Sequence, residues 1–303
     1  MRSIAIGNFD GVHLGHQALI ASAKVGRQNP SDAVAVVTFD PHPKEALNPG
    51  VFVPRLTSIE DRIALLKEHG ADEVFVIPFN RDFAQTSARE FFEDYIIGKW
   101  NAHHVSVGPS FFFGNDRKGT PDLLVDWMKA IGRSAKVITP QALGGKMISS
   151  SAIRDVLRAG DVATAATQLG RAHYIRGIVA SGFKRGRSIG FPTANLYPLN
   201  SPPPHVCLPL EGVYATTVLL TDGRRIDAIT NVGFRPTIHQ HSPLSVETHL
   251  LDFSEDLYGQ SIAVEFHERI RAEMKFAGVD ELKSQILKDI EACVKIHLKR
   301  KSD

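Results

Sequence analysis

The sequence predicts two domains of different architecture: an open, parallel α/β sheet, then an antiparallel β-domain closed by a C-terminal helix. Three observations carry this. First, at 303 residues, 43% of them hydrophobic, the chain is long enough for two cores. Second, over residues 1–158 short apolar runs (3–6, 34–39, 74–77, 104–107 and 135–138) alternate with amphipathic stretches (58–69, 87–98 and 120–131). Strand-helix alternation of this kind implies parallel pairing through right-handed crossovers. Third, from Tyr174 onward the grammar changes to β-rich runs (174–180, 213–220, 226–232, 246–251 and 262–270) punctuated by Gly, Pro and Asn. Many short strands with turn signals read as an antiparallel barrel or sandwich. Helical stretches at 149–159 and 161–169 end the first half, which sets the domains at 1–169 and 170–303. A closing amphipathic helix is expected over 280–298, with Asp280 as its N-cap.

Composition narrows the function. A net charge of +2 argues against a broad nucleic-acid or anionic-membrane footprint. No apolar run approaches a membrane-spanning length, and the N-terminus lacks a secretory pattern. Cys207 and Cys293 are too few for a disulfide framework or metal knuckle and read as reduced thiols of a cytoplasmic protein. Cys293 falls in an apolar stripe with Leu282, Ile286 and Ile290, where a small buried hydrophobe suffices. The first strand starts almost at Met1, an abrupt beginning that predicts a natural chain starting earlier. Nothing in the composition implies an oligomer.

The most informative stretch runs from Gly7-Asn8-Phe9-Asp10-Gly11 through Val12-His13-Leu14-Gly15-His16, directly after the first apolar run. It reads as strand, glycine-bounded turn and helix start. Free backbone N–H groups and the positive dipole end at such a start favour an anion. Two imidazoles three residues apart there point to stabilisation of charge on a phosphoryl group. Asp40-Pro41-His42-Pro43 presents a carboxylate and an imidazole at the end of the second run, with a simple strand-exit turn as the alternative. Ser149-Ser150-Ser151 and Arg154 offer hydroxyls, backbone N–H groups and a permanently charged fork at another helix start, the second jaw of a triphosphate clamp. These motifs, and the 108–114 loop, all follow strands or open helices, as ligand sites of open α/β sheets do.

In the second half, Thr193 and Asn195 lie two apart on an extended segment and so share a face. Such oxygen donors suit Mg²⁺ held jointly with nucleotide phosphates. Alternation sets Glu247 and His249 opposite Val246, Thr248 and Leu250, and a surface carboxylate is the default there. The prolines of 201–204 read as a stiff surface loop. A P-loop and a Gly-x-Gly-x-x-Gly fingerprint are both missing, and His267-Glu268 has no second histidine at zincin spacing. His103, His104, His239 and His241 read as surface histidines.

The histidine turn and the Ser-Ser-x-x-Ile-Arg block resemble the nucleotidyltransferases of the HxGH superfamily. Phe191-Pro192-Thr193-Ala194-Asn195, Asn231-Val232-Gly233-Phe234-Arg235-Pro236-Thr237 and Val246-Glu247-Thr248-His249-Leu250 resemble riboflavin kinase, in that order. Together the chain resembles the bifunctional prokaryotic riboflavin kinase/FAD synthetase (FMN adenylyltransferase) family. The resemblance implies a nucleotidyltransferase sheet followed by a kinase barrel. It implies ATP, riboflavin, FMN, FAD and pyrophosphate as reactants and Mg²⁺ as cofactor. His13 and His16 would stabilise the α-phosphoryl transition state and the departing pyrophosphate. Ser149, Ser150, Ser151 and Arg154 would hold the β- and γ-phosphates, with Gly7, Asn8, Phe9, Asp10 and Gly11 forming the ATP loop. Asp40, His42 and Ser110 would be FMN or strand-end contacts. In the kinase, Gly182, Lys184 and Arg187 would lie on the nucleotide loop, Thr193 and Asn195 would carry Mg²⁺, Glu247 would activate the ribityl 5′-hydroxyl, and Asn231, Gly233 and Arg235 would contact flavin. The family often has Asp or Asn where this chain has Ser110, and Thr where it has Ser151. Two other readings stand beside this one: a transferase of the same superfamily acting on another phosphate acceptor, and a non-enzymatic flavin-binding regulator.

Overall fold

The computed structural model describes residues 1–180, 190–198, 206–234 and 244–302. The chain divides into two compact units, Met1–Ser150 and Ser151–Asp303. The first is built on strands β1 (Arg2–Ile6), β2 (Ala33–Asp40), β3 (Glu73–Pro78), β4 (Ala102–Val107) and β5 (Ser134–Val137). All pair in parallel, in the order β3-β2-β1-β4-β5. The five predicted runs are these five strands, each within a residue or two. β1 is central because both its neighbours are parallel strands that bury it, and Ile4, Ala5 and Ile6 are essentially inaccessible. The chain winds from β1 to β2 and β3 on one side, then returns to lay β4 and β5 on the other. That reversal puts the switch point at the carboxyl ends of β1 and β4, where open α/β sheets bind ligands.

Helix α1 (Leu14–Val25) packs on β1, β2 and β4. A short α2 (Pro43–Leu47) follows β2, and α3 (Ile59–Glu68) is N-capped by Ser58, whose hydroxyl accepts from Asp61 N. After α4 (Arg81–Ala84), the stretch predicted as one ordinary helix over 87–98 starts as α5 (Ala88–Glu90), closed by a Ser87/Glu90 capping box. It then winds with wider π-type hydrogen bonds over Phe91–Lys99, ending with Trp100 N on Tyr95 O. Phe83, Phe91, Tyr95 and Trp100 pack ring against ring around this segment. α6 (Pro121–Ala130) packs on β5, and a two-strand ribbon, β6 (Ala142–Leu143) with β7 (Lys146–Met147), leads to α7 (Ser150–Arg158).

His103 and His104 are buried, at 1% and 7% exposure, so the expectation of surface histidines is corrected. They sit on β4, between two parallel neighbours. His103 Nε2 lies 3.2 Å from Gly26 O, and the two ring nitrogens of His104 engage Ser134 Oγ and Ser106 Oγ. Both nitrogens of His104 are thus paired, which makes its burial tolerable, whereas His103 Nδ1 has no hydrogen-bond partner among the described residues.

In the second unit α8 (Val162–Leu169) packs on β8 (His173–Ala180) and β13 (Ser261–Arg271). The remaining strands are β9 (Ala194–Pro198), β10 (Gly212–Leu219), β11 (Arg225–Phe234) and β12 (Leu244–Leu250). The barrel alternative is the one realised: the strands close antiparallel in the order β10-β11-β12-β9-β8-β13, with β13 returning to β10. Inside, Thr216, Thr230 and Thr248 are fully buried and satisfy one another, their hydroxyls 2.8 Å and 3.0 Å apart. The last helix, α9, runs Val279–Ser302, so Asp280 lies in its first turn rather than at the cap. There its carboxylate still complements the helix dipole. Cys293 is buried against Val213, Ala215 and Ile229, and both cysteines are free thiols. The loop at 201–204 and His239 and His241 lie outside the described residues.

Candidate active sites

In the first unit the loop between β1 and α1 is forced into shape. Phe9, Gly11 and Val12 have φ of 51°, 83° and 41°, a left-handed region that a β-branched valine rarely enters. Tethers from neighbouring elements hold it. Gly7 N donates to Val37 O at 3.1 Å, Thr38 Oγ donates to Asn8 O at 2.8 Å, and Gly11 N donates to Thr57 Oγ at 3.2 Å. Asp10, 1% exposed, accepts from Leu56 N at 2.9 Å and Thr57 N at 3.3 Å, and stands 3.7 Å from the Arg62 guanidinium. Its carboxylate is thus committed inward. Ser150 Oγ donates to Asp10 O at 2.9 Å, so the start of α7 meets the same loop.

The two histidines meet as the spacing predicts. His13 caps α1, its Nδ1 accepting from His16 N at 3.3 Å, and the two imidazoles stack with centroids 3.6 Å apart. Since His13 Nδ1 accepts, its neutral form carries the proton on Nε2 and offers an N–H donor. A Cβ on Gly15 would lie 3.2 Å from the His13 ring, a tight contact that would push the imidazole by a few tenths of an ångström. The Phe9 ring also meets His16, tilted by 47° with centroids 5.0 Å apart. Burial, with His13 and the Arg62 guanidinium nearby, holds the His16 imidazole well below the usual histidine value, so it is neutral at pH 7. Its Nδ1 has no hydrogen-bond partner among the described residues.

At the end of β2, Asp40 pairs with Arg55 at 2.8 Å, and Arg55 also reaches Glu45 at 3.3 Å. Val53 N donates to Glu45, and this bond with the Arg55 charge depresses the Glu45 carboxyl against a burial effect that raises it. His42 caps α2, accepting from Lys44 N at 3.1 Å, with its Nε2 3.5 Å from Asn8 Nδ2. The turn thus ends the strand and brings His42 against the histidine loop. Ser110 is exposed on the loop after β4, beside Phe111 and Phe113, whose rings stack. Ser149 is half-buried, Ser151 exposed and Arg154 buried on α7. Thr38, Thr57, Arg55 and Arg62 join the site without any sequence signal, because single polar residues inside apolar or helical patterns carry none.

In the barrel, strand register assembles the second site. Asn231 on β11 lies opposite Glu247 on β12, which lies opposite Asn195 on β9. Directly opposed residues share a face, so the three form one row across three strands. Thr193 precedes Asn195 by two residues. The segment before β9 is held by His249, whose Nδ1 is 2.7 Å from Pro192 O and whose ring meets Phe191 edge to face. Asn231 Nδ2 donates to Glu273 Oε1 at 3.1 Å, and a Cβ built on Gly233 would fall 1.8 Å from that same oxygen. His249 falls within the Val246–Leu250 motif, whereas Glu273 is a further residue that no local pattern marks as part of a site. Gly182, Lys184, Arg187 and Arg235 lie outside the described residues.

An α/β unit with a stacked histidine pair at its switch point, joined to a closed barrel bearing an Asn-Glu-Asn row, defines a two-site protein of phosphate chemistry. Comparison with known families agrees: residues 1–152 match the FAD synthetase model and residues 169–297 the riboflavin kinase model. The bifunctional riboflavin kinase/FMN adenylyltransferase of Bacillus subtilis is 39% identical over 96% of this chain and 91% of its own. That of Escherichia coli K12 is 36% identical over 94% and 90%. A Streptococcus pneumoniae structure described as a macrolide-efflux protein superposes with a TM-score of 0.86 at 32% identity, covering 96% of this chain and 93% of that one. Here, among the described residues, no helix is long and apolar enough to cross a membrane. The chain belongs to the bifunctional riboflavin kinase/FMN adenylyltransferase family.

Proposed function

We propose that this chain makes FMN from riboflavin and ATP in its barrel, then FAD and pyrophosphate from FMN and ATP in its α/β unit, in the cytoplasm. The observation that carries this is the coincidence on one chain of the stacked His13/His16 pair and the in-register Asn231, Glu247 and Asn195. We assign adenylyl transfer to 1–169 and phosphoryl transfer to 170–303, because Ser149, Ser150 and Arg154 belong functionally with the histidine loop.

In adenylyl transfer an FMN phosphate oxygen attacks the α-phosphorus of ATP and the bond to pyrophosphate breaks. The chain contributes position and charge stabilisation. His13 Nε2–H and His16 donate to oxygens on which charge develops. The serine block and Arg154 hold the outer phosphates, and Gly7, Asn8, Phe9 and Gly11 shape the ATP loop. Asp10 anchors that loop from inside, and Asp40, His42 and Ser110 frame the FMN side.

In phosphoryl transfer Glu247 takes the proton of the ribityl 5′-hydroxyl as that oxygen attacks the γ-phosphorus and ADP leaves. Thr193 and Asn195 supply a hydroxyl and an amide oxygen, donors that fit Mg²⁺. Among the described residues no group of three or more His, Cys, Asp or Glu could hold a metal. The cation would arrive with the nucleotide, most of its ligands being phosphate oxygens and water. Such a cation neutralises phosphate charge. Gly182, Lys184 and Arg187 complete the nucleotide loop, and Asn231, Gly233 and Arg235 the flavin contact.

The test is a chromatographic time course with riboflavin, ATP and Mg²⁺, repeated with FMN supplied. Glu247→Gln is expected to lower FMN formation by at least roughly 100-fold and leave FAD formation from supplied FMN intact. His16→Ala is expected to do the reverse. Undiminished riboflavin turnover in Glu247→Gln removes the base assignment.

A further inference from the structure

We propose that Arg62 is a positioning residue for adenylyl transfer, its buried guanidinium tying the histidine loop to β2. The inference rests on the reading of His13 and His16 as the adenylyl-transfer pair. Arg62 projects from α3 and is 3% exposed. Its Nη1 donates to Phe39 O at 3.4 Å and lies 3.5 Å from Thr38 Oγ, the hydroxyl that itself holds Asn8 O. Its Nη2 faces the Asp10 carboxylate at 3.7 Å, the acceptor that fixes Leu56 N and Thr57 N. One side chain thus touches two groups that hold the left-handed backbone of Phe9–Val12, from elements more than 20 residues away.

Electrostatics gives Arg62 a second task. The charged groups around His16 are His13 at the helix start, Arg62 from α3 and Asp10 within the loop. His42 stands across Asn8 at the end of β2, and Asp61 on α3 is hydrogen-bonded to Ser58 Oγ. The Arg62 charge opposes protonation of His16, in the same direction as burial and His13. The free site therefore presents a neutral imidazole backed by a cation that no pH change removes. An incoming triphosphate favours proton uptake there, so charge appears on His16 when phosphate is present to use it.

The experiment uses the full chain with ¹³C-labelled histidine, His16 being assigned by its loss in His16→Gln. Arg62→Met is expected to lower kcat/KM for FMN adenylylation at least roughly tenfold and to raise the His16 titration midpoint. Arg62→Lys keeps the charge and is expected to hold the midpoint low and recover part of the rate. A native-like Arg62→Met protein with an unchanged kcat/KM for FMN adenylylation overturns the proposal. If Arg62→Met unfolds the first unit, read as altered emission from Trp100 and Trp127, the lysine variant decides: a fully retained kcat/KM in it, despite the lost guanidinium contacts, overturns the proposal. Full adenylylation by His16→Ala would instead remove the reading of the site and leave the titration result standing.

Discussion

Substituting Asp10 by Asn separates a loop anchor from a nucleotide ligand. The carboxylate is 1% exposed and accepts from Leu56 N and Thr57 N at 2.9 Å and 3.3 Å, with Arg62 3.7 Å away. Asparagine keeps an acceptor oxygen and the side-chain volume. Each N–H bond then changes from a charged to a neutral acceptor, a loss of about 1 kcal/mol apiece. Arg62 also loses a buried counter-charge. Breaking a buried pair costs about 3–5 kcal/mol, and the lower end or less applies because Arg62 keeps Phe39 O and Thr38 and the separation is long. The total is about 4 kcal/mol. With a urea dependence of about 2 kcal/mol/M, the unfolding midpoint of the first unit falls by about 2 M. The assay is tryptophan emission during urea unfolding, since both tryptophans, Trp100 and Trp127, lie in this unit. Riboflavin phosphorylation serves as the internal control. An unchanged midpoint with a raised KM for ATP would refute the reasoning and make Asp10 a direct nucleotide ligand.

Other outcomes follow from the second unit. Arg271 grips Asp289 with Nε at 2.9 Å and 3.0 Å and Nη2 at 2.7 Å, and Asp289 is 3% exposed. Asp289→Ala therefore leaves a cation without its partner and is expected to destabilise the docking of α9 by about 3–5 kcal/mol, read by thermal unfolding. Burial, with Arg300 nearby, lowers His267 to about 3, and burial lowers His173 to about 4. Both are neutral when folded and take up a proton when unfolded below about 6.5. Barrel stability is thus full above about pH 6.5 and falls as pH drops toward 4 and 3. The loss is about 2 kcal/mol per histidine at pH 5, and His267→Gln should flatten part of the slope in urea midpoints measured against pH. Gly233→Ala puts a methyl where the Glu273 carboxylate sits. The exposed glutamate can swing away, so the fold is kept, while KM for riboflavin is expected to rise several-fold with kcat retained. An unaltered KM would detach Gly233 from the flavin contact.

The residues with chemical character are legible in the sequence because their signals are local. The apolar runs name the strands of the first unit, and the histidine spacing puts His13 and His16 at the start of one helix. What is not legible there depends on partners distant along the chain. Asp10 reads as a loop carboxylate available to a ligand until α3 and the segment at Leu56–Thr57 close over it. His103 and His104 read as surface residues until β1 and β5 flank their strand. Glu247 reads as a solvated carboxylate until register sets Asn231 on one side of it and Asn195 on the other.

The amino-acid sequence by itself determined the kinds of element and the two sets of reactive side chains, since periodicity and turn chemistry act over a few residues. The closed barrel is the one the family resemblance implied. Only the tertiary structure decided which polar groups turn inward and which residues from distant strands share a row. Those outcomes hang on strand pairing and burial between segments tens of residues apart, and no local pattern encodes them.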